Sequence, residues 1–359
     1  MRERLAALAS AAVMLMCAAG CGSSGNEPAQ TTASQADSQA ETKAPVKVTL
    51  PPKTTAGADS TADTESKAPV EENIGAELEY KPAMWKATSP DGKEMYMMGS
   101  MHALNDTCYP LPDYVSAAYD EADTLAVECD ISDKMNSAGS QLKYASKLTY
   151  PEGESIEDHI SEETWDSLIS YLDYYDIKPE KYEDTRPWAV YSALQTFALE
   201  NTDLKADKGL DRFLLDSAHR DGKEIYEVES YDSQMSMLIG FSDELYDMLL
   251  ATYSAETADA LREQNIDLFK AWKTGDTEWV QNALAGEKSP AVTEEQKKIY
   301  EDFNKTMYDD RNAHMAKDAE ELLSRDTKTF YVVGLAHFLG DKGIISLLEK
   351  DGYKVERVA

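Results

Sequence analysis

The sequence predicts an α/β domain with a mainly parallel core sheet, and three observations support this prediction. Short apolar segments typical of strands alternate with segments of helical periodicity over residues 76–359. Two of the apolar segments run into the same motif, Gly-x-x-His, at His102 and at His337. Between these motifs the pattern is mostly helical, so we expect a helical middle or capping region.

The first 20 residues predict an export signal. Arg2 and Arg4 precede an apolar run that is too short for a comfortable membrane span, and small residues lead to Cys21. This arrangement is similar to a bacterial lipobox, and the resemblance implies cleavage before Cys21 and diacylation of its sulfur. An ordinary signal peptide followed by an incidental cysteine is the alternative.

Residues 21–75 are expected to form a disordered tether. They are rich in Ala, Ser, Thr, Pro, Gln and Glu, and the first aromatic residue after them is Tyr80. Such a segment buries too little apolar surface to offset the entropy lost on ordering. The sequence therefore predicts a domain of residues 76–359 that a lipid on Cys21 anchors to the extracytoplasmic face of a cell membrane.

The charge of the chain excludes one class of partner. It has 35 Lys and Arg against 67 Asp and Glu, a formal net charge of -32. A nucleic-acid binder needs a basic face for the phosphates, and none is visible. The same charge argues against electrostatic adsorption to anionic lipid headgroups. Four cysteines are too few for a disulfide scaffold, and no Cys-x-x-Cys pair indicates a structural zinc site.

The domain is predicted to open with a β-hairpin. Residues 84–88 and 94–98 are apolar-rich, and Ser-Pro-Asp-Gly at residues 89–92 joins them with a turn. A helix over residues 110–122 then leads to a short buried strand at 124–127.

Helical periodicity dominates the middle of the chain, and a strand at residues 224–228 interrupts it. The predicted helices cover residues 161–174, 188–199, 209–219, 234–250, 255–272, 278–285 and 294–323. A strand at 329–333, a helix at 343–350 and a strand at 353–358 complete the domain.

The repeated Gly-x-x-His motif is the main candidate for chemistry. Gly99 and Gly334 end apolar strands, and His102 and His337 follow three residues later. Ligands of open α/β sheets bind beyond the carboxyl ends of strands, where a glycine lets the backbone turn sharply and approach a ligand. Imidazole binds divalent metals and acts as a general base near neutral pH. Two structural histidines that cap strand ends are the alternative.

The other three histidines lack this context, and we expect them at the surface. They are His159, His219 and His314.

Three further residues are candidates for the same site. Glu128 and Glu229 each follow an apolar strand, so each could ligate a metal or accept a proton, although both could also be ordinary strand-end acids. Arg311 lies on a predicted helix and could clamp a substrate carboxylate or carbonyl, or form a simple ion pair on the helix face.

These residues also carry a family resemblance. In chain order they are Gly99-Ser-Met-His102, Glu128, Gly209-Leu-Asp211, Val228-Glu229 with Gln234, Arg311-Asn312, and Gly334-Leu-Ala-His337 with Gly340. The set resembles the TraB/PrgY/GumN family, which includes the Tiki metalloproteases and is distantly similar to erythromycin esterases and to ChaN-type haem-binding lipoproteins. The resemblance implies an α/β fold with an internally duplicated core. Ser100 stands where Thr is more usual, and it keeps the hydroxyl.

By that resemblance the leading site residues are His102, His337 and Glu128. Our hypothesis is a metal-dependent hydrolase in which these three hold a divalent ion such as Mn, Co or Zn. A second carboxylate, Glu229, takes the proton, and Arg311 steadies the oxyanion or the terminus of a peptide or small-molecule substrate. No His-Glu-x-x-His and no Gly-x-Ser-x-Gly motif is present, which argues against a zincin and a serine hydrolase.

Two other functions fit the same sequence. A non-catalytic lipoprotein could use the two histidines to bind haem or a peptide, and a structural envelope lipoprotein would bind nothing. Cys108 and Cys129 remain outside these alternatives. We expect them to form a disulfide because the protein is predicted to be exported, and two buried free thiols are the alternative.

Overall fold

A six-stranded sheet in the order β4-β3-β5-β2-β1-β6 forms the centre of the computed structural model, which describes residues 71–134, 138–285 and 290–359. The strands are β1 (Met84–Thr88), β2 (Glu94–Ser100), β3 (Thr124–Val127), β4 (Glu224–Glu227), β5 (Thr329–Gly334) and β6 (Lys354–Arg357). The pairs β2–β5, β3–β5 and β3–β4 are parallel, whereas β1 pairs antiparallel with β2 and with β6. The predicted α/β fold with a mainly parallel sheet is confirmed.

Helices connect the strands and make up most of the middle of the chain. The α-helices are Asp113–Glu121, Ile131–Lys134, Ala138–Leu148, Glu162–Tyr174, Pro187–Phe197, Leu210–Asp221, Tyr231–Gly240, Asp243–Leu250, Ala258–Thr274, Thr277–Ala285, Glu294–Asn304, Arg311–Ser324, Leu335–Phe338 and Ile344–Lys350. A π-helix covers Lys305–Asp310. Short 3₁₀ turns lie at Asp106–Cys108, Ile156–Asp158, Pro179–Lys181 and Ala206–Lys208.

The hairpin β1–β2 forms where the sequence predicts it. Gly92 has φ +90°, which a residue with a side chain rarely adopts, and the Ser89 hydroxyl accepts from the Lys93 amide at 2.9 Å. The register pairs Thr88 with Glu94 across the turn. The hairpin therefore directs β2 into the centre of the sheet.

The two strands that precede Gly-x-x-His lie side by side. In the parallel pair β2–β5, Ser100 is opposite Gly334. Met98 and Val332 are also opposite each other, and both are fully buried, as expected for central parallel strands covered on both faces. Both motifs consequently leave the sheet at the same edge.

The helical middle has an apolar core of its own. Tyr171, Leu194 and Leu249 are buried in a cluster that is separate from the one around the sheet. The residues of this cluster lie between 144 and 307, in the parts of the chain that follow β3 and β4. They form the helical middle that the sequence predicts.

Two predicted helices are interrupted in the structure. Residues 234–250 form two helices, because Ser242 starts a new one by accepting from the Leu245 amide. Residues 294–323 contain the π-helix Lys305–Asp310, whose wider turn changes the direction of the side chains that follow. Helical periodicity does not distinguish a continuous helix from such an interruption.

The packed domain begins before the predicted boundary at residue 76. Ile74 is 3% exposed, the Asn73 amide donates to Asp203 at 2.7 Å, and Lys273 Nζ donates to the Gly75 carbonyl at 2.7 Å. Residues 71–75 therefore belong to the fold and not to the tether, because their backbone is bonded to the domain. The predicted signal, Cys21 and the rest of the tether lie outside the described residues. Among the helices described, none combines the length and apolar character needed to cross a membrane.

Candidate functional site

His102 lies just beyond β2 and contacts the carboxylate of Asp211. Its Nδ1 lies 2.7 Å from Asp211 Oδ2 in an ion pair, and both side chains are largely buried. Asp211 comes from the first turn of the helix Leu210–Asp221, and the Leu210 amide donates to the Met101 carbonyl at 3.0 Å. Gly209 packs so closely on the His102 carbonyl that a Cβ atom there would overlap it. The chain thus holds this imidazole and its acid together.

The ion pair shifts the pKa values of both groups. Burial lowers the pKa of His102, but the charge of Asp211 and its hydrogen bond raise it by more, so the net direction is upward. Burial raises the pKa of Asp211, and the charge and hydrogen bond of His102 outweigh that effect and lower it. The two groups therefore stabilise each other, and the carboxylate of Asp211 lies against Nδ1 of His102.

His337 lies in the short helix Leu335–Phe338 after β5, and Asn312 fixes its tautomer. Its Nδ1 lies 2.6 Å from Asn312 Oδ1, and Asn312 Nδ2 donates to the Lys342 carbonyl at 3.1 Å. Since the amide nitrogen must donate to that carbonyl, the amide oxygen accepts from His337 Nδ1. The Nε2 atom then carries a lone pair. Burial, and next the charges of Arg311 and His102, hold the pKa of His337 well below its usual value.

Glu128 is the central carboxylate of the site. Its Oε1 accepts from the Gly334 amide at 2.8 Å and lies 3.9 Å from His337 Nε2, while Oε2 accepts from Arg311 at 2.8 Å and from Gln234 at 3.2 Å. Burial raises the pKa of Glu128, although the charges of Arg311 and His102 oppose the rise. The strand order brings this residue from β3 next to the end of β5.

Arg311 and Glu229 form a bidentate ion pair. Arg311 Nε lies 2.9 Å from Glu229 Oε1, and its Nη2 lies 2.8 Å from Glu229 Oε2. Burial raises the pKa of Glu229, but the hydrogen bond and charge of Arg311 lower it by more. Arg311 is 6% exposed, and its Nη2 also donates to Glu128. Arg311 therefore takes part in ion pairs, the second of its two predicted roles, but with buried strand-end acids and not on the helix face.

Gln234 and Cys129 complete the network. Gln234 Nε2 donates to Glu128 at 3.2 Å and to Glu229 at 2.8 Å, and its Oε1 accepts from the Cys129 thiol at 3.2 Å. Burial raises the pKa of the Cys129 thiol, so it acts as a neutral donor. One amide thus holds both carboxylates of the site.

The motif glycines are required for contacts within the chain. A Cβ atom on Gly99 would lie 2.8 Å from Leu335 Cα, and one on Gly334 would lie 3.1 Å from Glu128 Oε1. Neither residue has a positive φ. The sequence predicts that these glycines let the backbone approach a ligand. In the structure the backbone of Gly99 approaches Leu335 of the other motif, and that of Gly334 approaches the carboxylate of Glu128.

The remaining histidines differ in exposure. His219 and His314 are exposed, as expected, and each lies near an aspartate. His159 is half-buried between Asp243 at 2.8 Å and Glu154 at 2.7 Å. None of the three appears among the charges or hydrogen bonds that act on His102 or His337.

The predicted Cys108–Cys129 disulfide does not form in the structure. Both residues are buried free thiols, and Cys129 donates to Gln234. Cys108 lies in the turn Asp106–Cys108, where the charge of Lys273 acts on it, whereas Cys129 follows β3. The alternative of two buried free thiols is the correct one here.

The structure brings all five predicted site residues to one region, and three partners carried no role in the sequence prediction. His102, His337, Glu128, Glu229 and Arg311 are linked by contacts or by the charges that shift their pKa values. The additional partners are Asp211, Asn312 and Gln234. All three belong to the motifs of the family resemblance, which was the signal that could have identified them.

The donor chemistry fits a divalent metal ion. Each imidazole has an oxygen against Nδ1, which leaves Nε2 for a ligand, as in metal sites where an outer carboxylate or amide orients the histidine. Glu128 Oε1 near His337 Nε2 adds an oxygen donor. In the described residues no three His, Cys, Asp or Glu groups already converge into a metal-binding cluster.

A cavity of about 580 Å³ lies beside this network. Asn312, Tyr308 and Ala336 line it, and the Tyr308 ring centroid lies 6.1 Å from that of His337. Its volume is within the range of small-molecule sites.

Comparison with known proteins gives one family and two relatives. The model of the TraB/PrgY/gumN family matches residues 83–357. Over 156 residues the chain is 28% identical to uncharacterized protein YbaP of Escherichia coli (strain K12) and to uncharacterized protein YbaP of Shigella flexneri. Each alignment covers 44% of this chain and 56% of the relative, so the match spans about half the length of these curated relatives. No solved structure matches the chain.

Proposed function

Because the chain belongs to the TraB/PrgY/gumN family, we propose that it is a hydrolase that uses His102, His337 and Glu128 with a divalent metal ion. One observation carries the proposal: two imidazoles at the same edge of the sheet each have Nδ1 held by an oxygen. This arrangement leaves both Nε2 atoms for chemistry.

The metal would be held by His102 and His337, with Glu128 beside it as the acid–base group. When bound, it supplies a Lewis acid for a carbonyl oxygen and a water of lowered pKa. Asn312 keeps His337 in the required tautomer, and the Asp211 carboxylate lies against Nδ1 of His102. Arg311 positions Glu128 by donating to Oε2, which leaves Oε1 on the side of His337.

The proton acceptor in this proposal is Glu128, because its raised pKa suits a group that takes and returns a proton. Glu229 is a less suitable base, since its bidentate pair with Arg311 lowers its pKa. Arg311 keeps Glu229 ionised and holds the second oxygen of Glu128, so these two residues act as positioning residues.

Metal content of the purified full chain tests the proposal. Mass spectrometry after incubation with Mn, Co or Zn should find bound metal in the wild type and a strong loss in His102→Ala and His337→Ala. His219→Ala is the matched control, because His219 is exposed and lies outside the network. Equal metal content in all four proteins would refute the metal-dependent form. A screen of peptide and ester substrates with the same variants tests turnover.

The proposal includes export and a lipid anchor on Cys21. Labelling with a radioactive fatty acid in cells should mark the wild type and leave Cys21→Ser unmarked and absent from the membrane fraction. Label retained by Cys21→Ser would overturn the anchor and would not affect the hydrolase.

A ligand-binding protein is the second candidate. The cavity beside Asn312 and the two available Nε2 atoms would also suit a haem or a peptide that is bound without turnover. A haem titration that gives a Soret shift lost in His337→Ala, with no hydrolysis of any tested substrate, would favour this candidate.

A further inference from the structure

Two cavities on the other flank of the network adjoin each other. Met237 and Thr306 line both a cavity of about 530 Å³ and a cavity of about 290 Å³. We call the two together the helical groove. Its inner end is lined by Glu229, Gln234 and Arg311, the residues that hold Glu128. The groove therefore reaches the proposed site without including the histidines of the Gly-x-x-His motifs among its lining residues.

The walls of the larger cavity are apolar. They include Met237, Phe241, Leu245, Ile299 and Phe303. The rings of Phe241 and Phe303 pack edge to face with centroids 5.1 Å apart. Walls of this kind suit a large aromatic or aliphatic group, since burying it removes apolar surface from water.

Three acids, one arginine and the exposed His314 line the helical groove. Asp302 lines the larger cavity and Asp310 the smaller one. Arg311 is the one lysine or arginine among the lining residues, and its guanidinium is already paired with Glu128 and Glu229. Asp310 pairs with Lys305 at 2.6 Å, and Asp302, whose charge also acts on Lys305, has an exposed carboxylate that makes no ion pair within 4 Å among the described residues. An ammonium group is therefore favoured at this rim and a carboxylate is disfavoured.

We propose that the helical groove binds an amine that carries a large apolar group. The apolar group occupies the cavity of Phe241 and Phe303, and the ammonium faces the carboxylate of Asp302. If the bound amine is also hydrolysed, that reaction rests on the hydrolase proposed above. Binding itself requires the groove alone, so its failure would leave the metal content and the activity of the chain unaffected.

Three probes with the same apolar part separate the two contributions. They are 4-phenylbutylamine, 4-phenylbutanol and 4-phenylbutanoate, titrated into the full chain and followed by ligand-observed NMR. The amine should bind about two- to fivefold more tightly than the alcohol, as expected for a partly exposed charge pair, and the carboxylate should bind least. High salt should remove the difference. Equal affinities for amine and alcohol at low salt would overturn the proposal.

Three variants locate the binding. Met237→Trp should fill the point where the two cavities meet and abolish binding of all three probes, and Asp302→Asn should make the amine and the alcohol equal. Asp120→Asn is the matched control, because Asp120 is an exposed acid that lines a separate cavity of about 350 Å³. Binding that survives Met237→Trp, or an amine preference that survives Asp302→Asn, would refute the assignment. If Met237→Trp does not fold, Asp302→Asn on the rim decides alone.

Discussion

Replacement of Arg311 by Met should destabilise the protein strongly. The guanidinium makes three short contacts with two carboxylates, one to Glu128 and two to Glu229, and the three side chains are between 4% and 10% exposed. Met keeps most of the volume but leaves two buried acids without their cation. Breaking a buried ion pair in this way costs about 3–5 kcal/mol of unfolding free energy.

The stability that Arg311→Met loses should depend on pH. Without Arg311 the pKa of Glu128, which burial already raises, should rise further, so the folded variant binds a proton that the unfolded chain releases. A raised carboxyl pKa in the folded state means that stability increases as the pH falls through it. The variant should therefore recover about 1.4 kcal/mol per pH unit for each carboxyl that takes up a proton, and the loss should be largest near pH 8.

Urea unfolding of the full chain, followed by tryptophan fluorescence at several pH values, measures both effects. Glu229→Gln combined with Arg311→Met removes one of the uncompensated acids and should recover about 1–3 kcal/mol. Arg220→Met is the control, because Arg220 forms an exposed pair with Asp221 and should give no measurable change. A loss in Arg311→Met below about 1 kcal/mol, or one that is the same at every pH, would refute the reasoning.

Three further predictions concern the partners of the histidines and the motif glycines. Asp211→Asn should lose the most stability at pH values between the usual pKa values of Asp and His, 3.8 and 6.5, and less at alkaline pH, where the imidazole is neutral in both proteins. Unfolding at about pH 5.5 and pH 9 measures the two losses, and equal losses would contradict the prediction. Asn312→Ala should lower metal affinity by about 10- to 100-fold in a metal titration, because Asn312 orients His337. Asn304→Ala, in the same cavity, should leave the affinity unchanged, and equal affinities in the two variants would argue against this role of Asn312. Gly334→Ala should reduce hydrolysis or metal binding because its Cβ meets Glu128. Gly240→Ala, which has open space at a helix end, should change stability by less than about 1 kcal/mol. Thermal unfolding and metal content of both variants test this, and a fully functional Gly334→Ala would contradict it.

The pairing of the two histidine motifs could be predicted because it follows from general rules. An apolar strand that runs into Gly-x-x-His occurs twice, and carboxyl ends of neighbouring parallel strands share one edge of a sheet. The sequence could not fix which strands are neighbours, yet the register of Ser100 opposite Gly334 places the motifs next to each other. Glu128 was predictable for the same reason, since it ends the adjacent strand β3.

The partners of these residues depend on tertiary contacts that no local pattern encodes. Asp211 reaches His102 from the start of a helix more than a hundred residues later, and Asn312 reaches His337 from a helix before β5. The disulfide prediction failed for a related reason. Cys108 lies in a turn beyond β2 and Cys129 just after β3, and no local pattern fixes how these two segments approach each other.

The π-helix at Lys305–Asp310 sets the direction of two side chains of the network at once. Arg311 and Asn312 are adjacent in the chain and so differ by about 100° in direction around their helix. One of them binds the carboxylates, and the other fixes the neutral imidazole. Loss of a single residue from the wide turn before them would rotate both away from their partners at once. The number of residues in this segment therefore decides whether both side chains reach their partners.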